Sequence, residues 1–109
     1  MAEEEFLRLL ENVRDFDWNP SKREQTFNER HIAFDDAPIV FQGPIMVRRS
    51  DRKGEVRYMV FGFLDDVEVV FVCTFRDDLC WIISARRARR DERKKYHSQL
   101  RRSAAKDQE

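Results

Sequence analysis

The chain has 109 residues, 41% hydrophobic and 39% charged, and its 21 Lys and Arg balance 21 Asp and Glu to a formal net charge of zero. That length suits a single domain over 1–109, with nine Phe and two Trp to build a core that needs no metal or disulfide staples. No apolar run approaches the roughly 20 residues that span a bilayer, and the acidic residues 1–5 lead into no secretory core, so no membrane partner is expected and the cytoplasm is the expected compartment.

Phe6, Leu9, Leu10 and Val13 recur at i, i+3, i+4 and i+7, which predicts an amphipathic N-terminal helix within about 1–15, its first-turn glutamates at the positive end of the dipole. Phe16 and Trp18 alternate with Asp15 and Asp17, as in a short strand. Asn19-Pro20 reads as an N-cap and first helical residue, opening a helix to about residue 31 with Lys22 near its start. Ile32 and Phe34 lead into a second short helix, capped by Asp35 or Asp36, with Pro38 in its first turn and Gln42-Gly43-Pro44 as its breaker.

Strands are predicted over 45–49, 56–63, 67–76 and 79–85, with Asp65-Asp66 and Asp77-Asp78 as tight turns. A two-residue loop at Asp77-Asp78 sets Arg76 opposite Leu79, Thr74 opposite Trp81 and Val72 opposite Ile83. Thr74, Arg76, Trp81 and Ile83 then share one face, and Phe71, Cys73, Phe75, Cys80 and Ile82 the other. The pattern leaves open which face the helices cover. Cys80 falls opposite Phe75 rather than Cys73, and both cysteines read as small buried apolar residues. Ser84-Ala85-Arg86 closes the last strand, and a helix runs on through Arg102 with Ala88, Glu92, Tyr96 and Leu100 in one stripe. Residues 103–109, small and polar, are expected to fray. The fold class is α+β: an antiparallel sheet with N-terminal helices and a C-terminal basic helix.

The zero net charge conceals a split. Residues 1–85 carry 11 Lys and Arg against 17 Asp and Glu, and residues 86–109 carry 10 against 4. Such asymmetry points to an anionic partner for the C-terminal part. RNA cleavage through the 2′-hydroxyl needs a proton acceptor, a proton donor and cations around the phosphorane, with no cofactor and no metal required. Arginine suits the last task because its planar, permanently charged fork holds two phosphate oxygens. Arg57, Arg76 and Arg86 come from separate segments, Arg87, Arg89, Arg90 and Arg93 supply a surrounding field, and Trp81 and Tyr58 offer stacking surfaces for unpaired bases. Taken singly, Trp81 also fits a core position, and Glu92 an ion-pair partner for Arg89 or Lys95.

Three segments sharpen this. Thr74-Phe75-Arg76-Asp77-Asp78, Ile82-Ile83-Ser84-Ala85-Arg86-Arg87-Ala88 and Glu92-Arg93-Lys94-Lys95-Tyr96 together resemble the C-terminal signature of the BrnT family, ribonuclease toxins with a RelE-like fold from type II toxin–antitoxin systems. Arg57-Tyr58 with Gly62, and the segment from Phe16 to Lys22, resemble upstream elements of that family, so the likeness runs over about 16–96. Glu29-Arg30-His31 stands where the family usually shows Lys-His-Gly, and the N-terminal helix extends beyond its common pattern.

The resemblance implies a metal-independent endoribonuclease that cuts RNA to block translation. It also implies neutralisation by a BrnA-like antitoxin, with DNA reached only through that antitoxin. Carried over by residue, Arg57, Arg76 and Arg86 are expected to bind the phosphate and its transition state. Lys22, Glu92 and Tyr96 are expected to transfer protons or orient those arginines. The reading requires the three arginines to converge on one scissile phosphate. Two others compete with it: a toxin-fold protein that has lost catalysis and serves as an antitoxin-binding partner, and a nucleic-acid-binding module that uses the basic helix alone.

Overall fold

Asn19 opens the first long helix as its sequence predicts: its side-chain oxygen accepts from the backbone N–H of Ser21 at 2.9 Å and of Lys22 at 3.2 Å, with Pro20 the first helical residue. The computed structural model describes the backbone of residues 1–107 and the side chains of residues 1–103. In chain order it contains α1 (Ala2–Glu11), β1 (Asp15–Trp18), α2 (Pro20–Arg30), a 3-10 turn (Phe34–Asp36), α3 (Ala37–Gln42), β2 (Met46–Arg49), β3 (Tyr58–Leu64), β4 (Val67–Arg76), β5 (Leu79–Arg87) and α4 (Arg90–Asp107).

The architecture is α+β, around a five-stranded sheet in the order β1-β5-β4-β3-β2. The sheet is mixed rather than wholly antiparallel. β2 to β5 form an antiparallel meander, but β1 lies parallel to β5, with Phe16 beside Cys80 and Trp18 beside Ile82. The long return through α2, α3 and the meander provides the crossover that a parallel pair requires.

One face of the sheet carries Tyr58, Val60, Val69, Phe71, Cys73, Cys80, Ile82 and Ala85, packed beneath α1, α2, the 3-10 turn and α3. This settles which face the N-terminal helices cover. Gly62 lets α3 come close: a Cβ there would lie 2.6 Å from a Val40 methyl carbon. α1 belongs to this core. Phe6 is fully buried, with its ring 5.3 Å from Phe41, 5.6 Å from Tyr58 and 5.7 Å from Phe75. On the opposite face, Met46, Phe61, Val70, Ala88 and Tyr96 form a second, smaller cluster that seats α4 over β2, β3 and the start of β4. The far half of that face, along β1, β5 and the end of β4, lies outside this cluster.

The β4–β5 hairpin keeps the expected register at its tip, with Arg76 opposite Leu79, Thr74 opposite Trp81 and Cys80 opposite Phe75. Between Val72 and Cys73 it slips by one residue, so that Val72 faces Ser84 instead of Ile83. The bulge has a consequence for chemistry. Without it, alternation would turn Arg86 towards the helix-covered face; with it, Arg86 stands opposite Val70 on the α4 face, and Arg87 stands opposite Val69 on the other. β5 also continues to Arg87, so Arg86 lies within the strand rather than at a junction after Ala85, and α4 starts only at Arg90. α4 runs on to Asp107, past the frayed end expected after Arg102; residues 108–109 of that expectation lie outside the described residues.

Candidate RNA-binding face

Arg52 and Glu55 pair across a two-residue turn whose central residues, Lys53 and Gly54, have φ of 51° and 78°. Two left-handed residues in succession are the geometry of a type I′ hairpin turn, which suits Gly at the second position. The ladder continues past β3, with the Ser50 N–H donating to the Arg57 carbonyl at 2.8 Å. Glu55 and Arg57 therefore project from the same face as Thr74 and Arg76 on β4.

There the two arginines meet. Arg57 Nε donates to Glu55 Oε1 at 2.9 Å, while Arg76 Nη2 donates to Glu55 Oε2 at 3.1 Å. One carboxylate thus bridges two guanidinium groups. The Arg57 hydrogen bond first, and Arg76 after it, hold Glu55 below the usual carboxylate range. Arg76 also lies over the indole of Trp81, 5.2 Å from the ring centroid. Trp81 is half-buried, and Thr74 beneath the cluster is buried, its hydroxyl donating to the Val56 carbonyl. The group combines a fork for phosphate, an aromatic plane and a carboxylate, on the half of the sheet that α4 leaves open.

Arg86 does not join it. The Val70–Arg86 pair lies six residues along β4 from Arg76, about 20 Å at the usual strand rise. Its guanidinium donates to both oxygens of Glu92, at 2.7 and 2.9 Å, and Glu92 Oε1 also accepts from the backbone N–H of Arg89 at 2.8 Å. The expectation that Arg57, Arg76 and Arg86 hold one phosphate together is therefore corrected: two converge, and the third clamps the start of α4 to β5. Sequence spacing suggested Arg89 or Lys95 as the partner of Glu92; the bulge supplies Arg86 instead. Arg86 hydrogen bonding, with help from the Arg89 N–H, lowers Glu92 to about 2. Such a carboxylate orients its arginine and carries no proton to donate near neutral pH.

Tyr96 and Tyr58 are corrections too. Tyr96 is 1% exposed, its hydroxyl donates to the Pro44 carbonyl, and burial pushes it up to about 12, so no cationic field prepares it for proton transfer. Tyr58 is also 1% exposed and lies on the helix-covered face, donating to Glu5, so it offers no surface for a base. Lys22 is exposed in the first turn of α2, on the helix-covered side of the sheet. Arg89 and Arg90 are exposed at the start of α4, and Arg93 donates to the Ala88 carbonyl at 3.1 Å. Arg87 borders a hollow of about 210 Å³ on the opposite face, with Arg30, His31 and Asp65. The expected site residues thus fall into two separate groups, Arg57, Arg76 and Trp81 around Glu55, and Arg86 with Glu92 at the start of α4.

His31 caps α2 in the left-handed region, at φ 58°. That conformation is one that glycine adopts freely, and Arg30 before it donates to the Ala85 carbonyl at 2.8 Å. Sequence reasoning missed Glu55. Its signal was available: Lys53-Gly54 as a tight turn places residue 55 opposite the end of β4. Among the described residues, no group of three or more His, Cys, Asp or Glu is arranged to hold a metal ion, and no helix is long and apolar enough to cross a membrane.

A family model described as the ribonuclease toxin BrnT of type II toxin–antitoxin systems matches residues 18–92. α1 and all of α4 after Glu92 lie outside that match. The 1.1 Å crystal structure of the Brucella abortus ribonuclease toxin BrnT is similar, with a TM-score of 0.55 and 18% identity over 70% of this chain and 97% of that one. At that identity the likeness is one of fold. No curated protein matches the chain.

Proposed function

The chain belongs to the BrnT family of ribonuclease toxins of type II toxin–antitoxin systems, and on that premise we propose that it is a metal-independent endoribonuclease whose reaction centres on Arg57, Arg76 and Glu55. The observation that carries the reading is the meeting of Arg57 and Arg76 on one carboxylate, beside Trp81, on the half of the sheet face that α4 leaves open. The two guanidinium groups take the scissile phosphate, and a neighbouring base stacks on Trp81. Glu55 accepts the 2′-hydroxyl proton as the 2′-oxygen attacks phosphorus. The 5′-oxygen leaves and takes a proton from solvent, giving a 2′,3′-cyclic phosphate and a 5′-hydroxyl end.

Charge logic supports Glu55 in this role. With both arginines bound to it, Glu55 is a weak base. When the arginines turn to a phosphate, the carboxylate loses the two interactions that lower its pKa, so substrate binding itself raises its basicity. Arg86 and Glu92 act at a distance, by fixing α4 to the sheet. Cutting RNA in this way blocks translation in the cytoplasm, on a RelE-like fold. The protein antitoxin that a type II system implies is BrnA-like, and DNA is reached only through it.

Three measurements test the reading. Expression of the chain alone should arrest growth and fragment RNA, and the purified chain should cut RNA in EDTA. Glu55→Gln should lower cleavage by on the order of 100-fold while tightening RNA binding, because a negative charge leaves the arginine pair. Intact RNA with the wild-type chain would favour the inert toxin-fold partner.

A further inference from the structure

Away from the arginine pair, α4 and the edge strand β2 enclose a groove of about 340 Å³. Its polar lining is Arg48 from β2 and Lys94, Lys95, Ser98, Gln99 and Arg102 from α4. Elsewhere six arginines, Arg14, Arg23, Arg49, Arg57, Arg76 and Arg86, each sit within ion-pair distance of a carboxylate. Among the described residues, no carboxylate stands at that distance from Arg48, Lys94 or Lys95. Arg48 instead lies over the Phe61 ring at 5.6 Å. The groove thus gathers four cations, Arg48, Lys94, Lys95 and Arg102, with no acidic residue in its lining.

The groove also leads somewhere. Arg48 is opposite Met59, and Ser50 is opposite Arg57, so on this face Arg48 and Arg57 are diagonal neighbours, about 7–8 Å apart. The cations of α4, Arg48, Arg57 and Arg76 therefore form one track across the α4 face, ending at Trp81. We propose that the α4–β2 groove is a second anion site, which grips backbone phosphates of a single RNA strand a few nucleotides from the scissile one. The proposal rests on the RNA-cleaving reading above for the identity of the strand. RNA is favoured over an acidic protein segment because the track is continuous with the phosphate fork and the aromatic plane, which together suit a nucleotide.

The test compares a 12-nucleotide and a 2-nucleotide single-stranded RNA, both made uncleavable by 2′-O-methyl groups, binding to the full chain and to its Lys94→Glu/Lys95→Glu variant. Both lysines are exposed on a helix, so the variant folds, and circular dichroism checks that it does. The wild-type chain should bind the 12-mer at least tenfold more tightly than the 2-mer. The variant should lose that advantage, and its salt slope for the 12-mer should flatten by about 1.4, the value for two lost phosphate contacts on a single strand. An undiminished length advantage with an unchanged slope would overturn the groove as an RNA site, even if the wild-type chain cleaves RNA. Conversely, loss of the advantage together with an absence of cleavage would leave the groove standing and sink the nuclease chemistry.

Discussion

At the scale of single residues, the three candidate arginines separate into two kinds. Arg57 and Arg76 share an accessible carboxylate and stand beside an aromatic plane; Arg86 is spent on a half-buried clamp. Replacing Arg86 by Ala leaves Glu92 buried without its cation, at a cost of about 2 kcal/mol in stability, read as a lower midpoint in urea. The clamp also sets an acid limit. Glu92 has a folded-state pKa lowered from its unfolded value near 4.5 to about 2, so the stability it contributes is present above about pH 4.5 and is lost as pH falls towards 2. Denaturant titrations at pH 6 and pH 3 should show that loss in the wild-type chain and much less of it in Glu92→Gln. Glu55, likewise held low by its arginines, stays ionised to below the usual carboxylate range. The acid limb of the kcat/KM profile, which reports the free enzyme, should therefore lie below about pH 4.5, and that of kcat, which reports the complex, should lie higher.

At the scale of elements, α1 and the C-cap of α2 make separable contributions. α1 lies outside the family match yet drives Phe6 into the aromatic core, and Glu5 ties it to Tyr58 and Arg49. Phe6→Ala should cost about 3–5 kcal/mol, measured by thermal or urea unfolding; a change under 1 kcal/mol would mean that α1 is no more than a cover. His31→Gly, at φ 58°, should stabilise by about 0.5–1 kcal/mol through relief of left-handed strain. These elements also mark what could be read from the chain. Asn19-Pro20 and Asp77-Asp78 carry their own local signals, so the start of α2 and the register at the tip of the β4–β5 hairpin were legible. The bulge was not: Ile82-Ile83-Ser84 reads as unbroken strand, and only packing on both faces decides where an extra residue goes. Nor was the direction of β1, whose four residues hold no record of which distant strand they join.

Across the whole molecule, the sheet packs its two faces differently. The helix-covered face takes most of the buried aromatics, among them Tyr58, whose alternation with Met59, Phe61 and Phe63 made both faces of β3 look apolar in sequence. The α4 face carries Arg48, Arg57 and Arg76, and the bulge assigns Arg86 to it. The charge asymmetry along the chain directed attention to the C-terminal part. It misplaced the candidate centre, because Arg57 and Glu55 arrive there from the acidic part by strand pairing. The central claim is that RNA is cut at the Arg57–Arg76 pair. Its most direct test is cleavage of a short RNA in EDTA by the purified Arg76→Ala variant, with unfolding midpoints measured alongside. The account predicts a loss of on the order of 100-fold or more with a midpoint close to that of the wild-type chain. Wild-type cleavage by Arg76→Ala would contradict it.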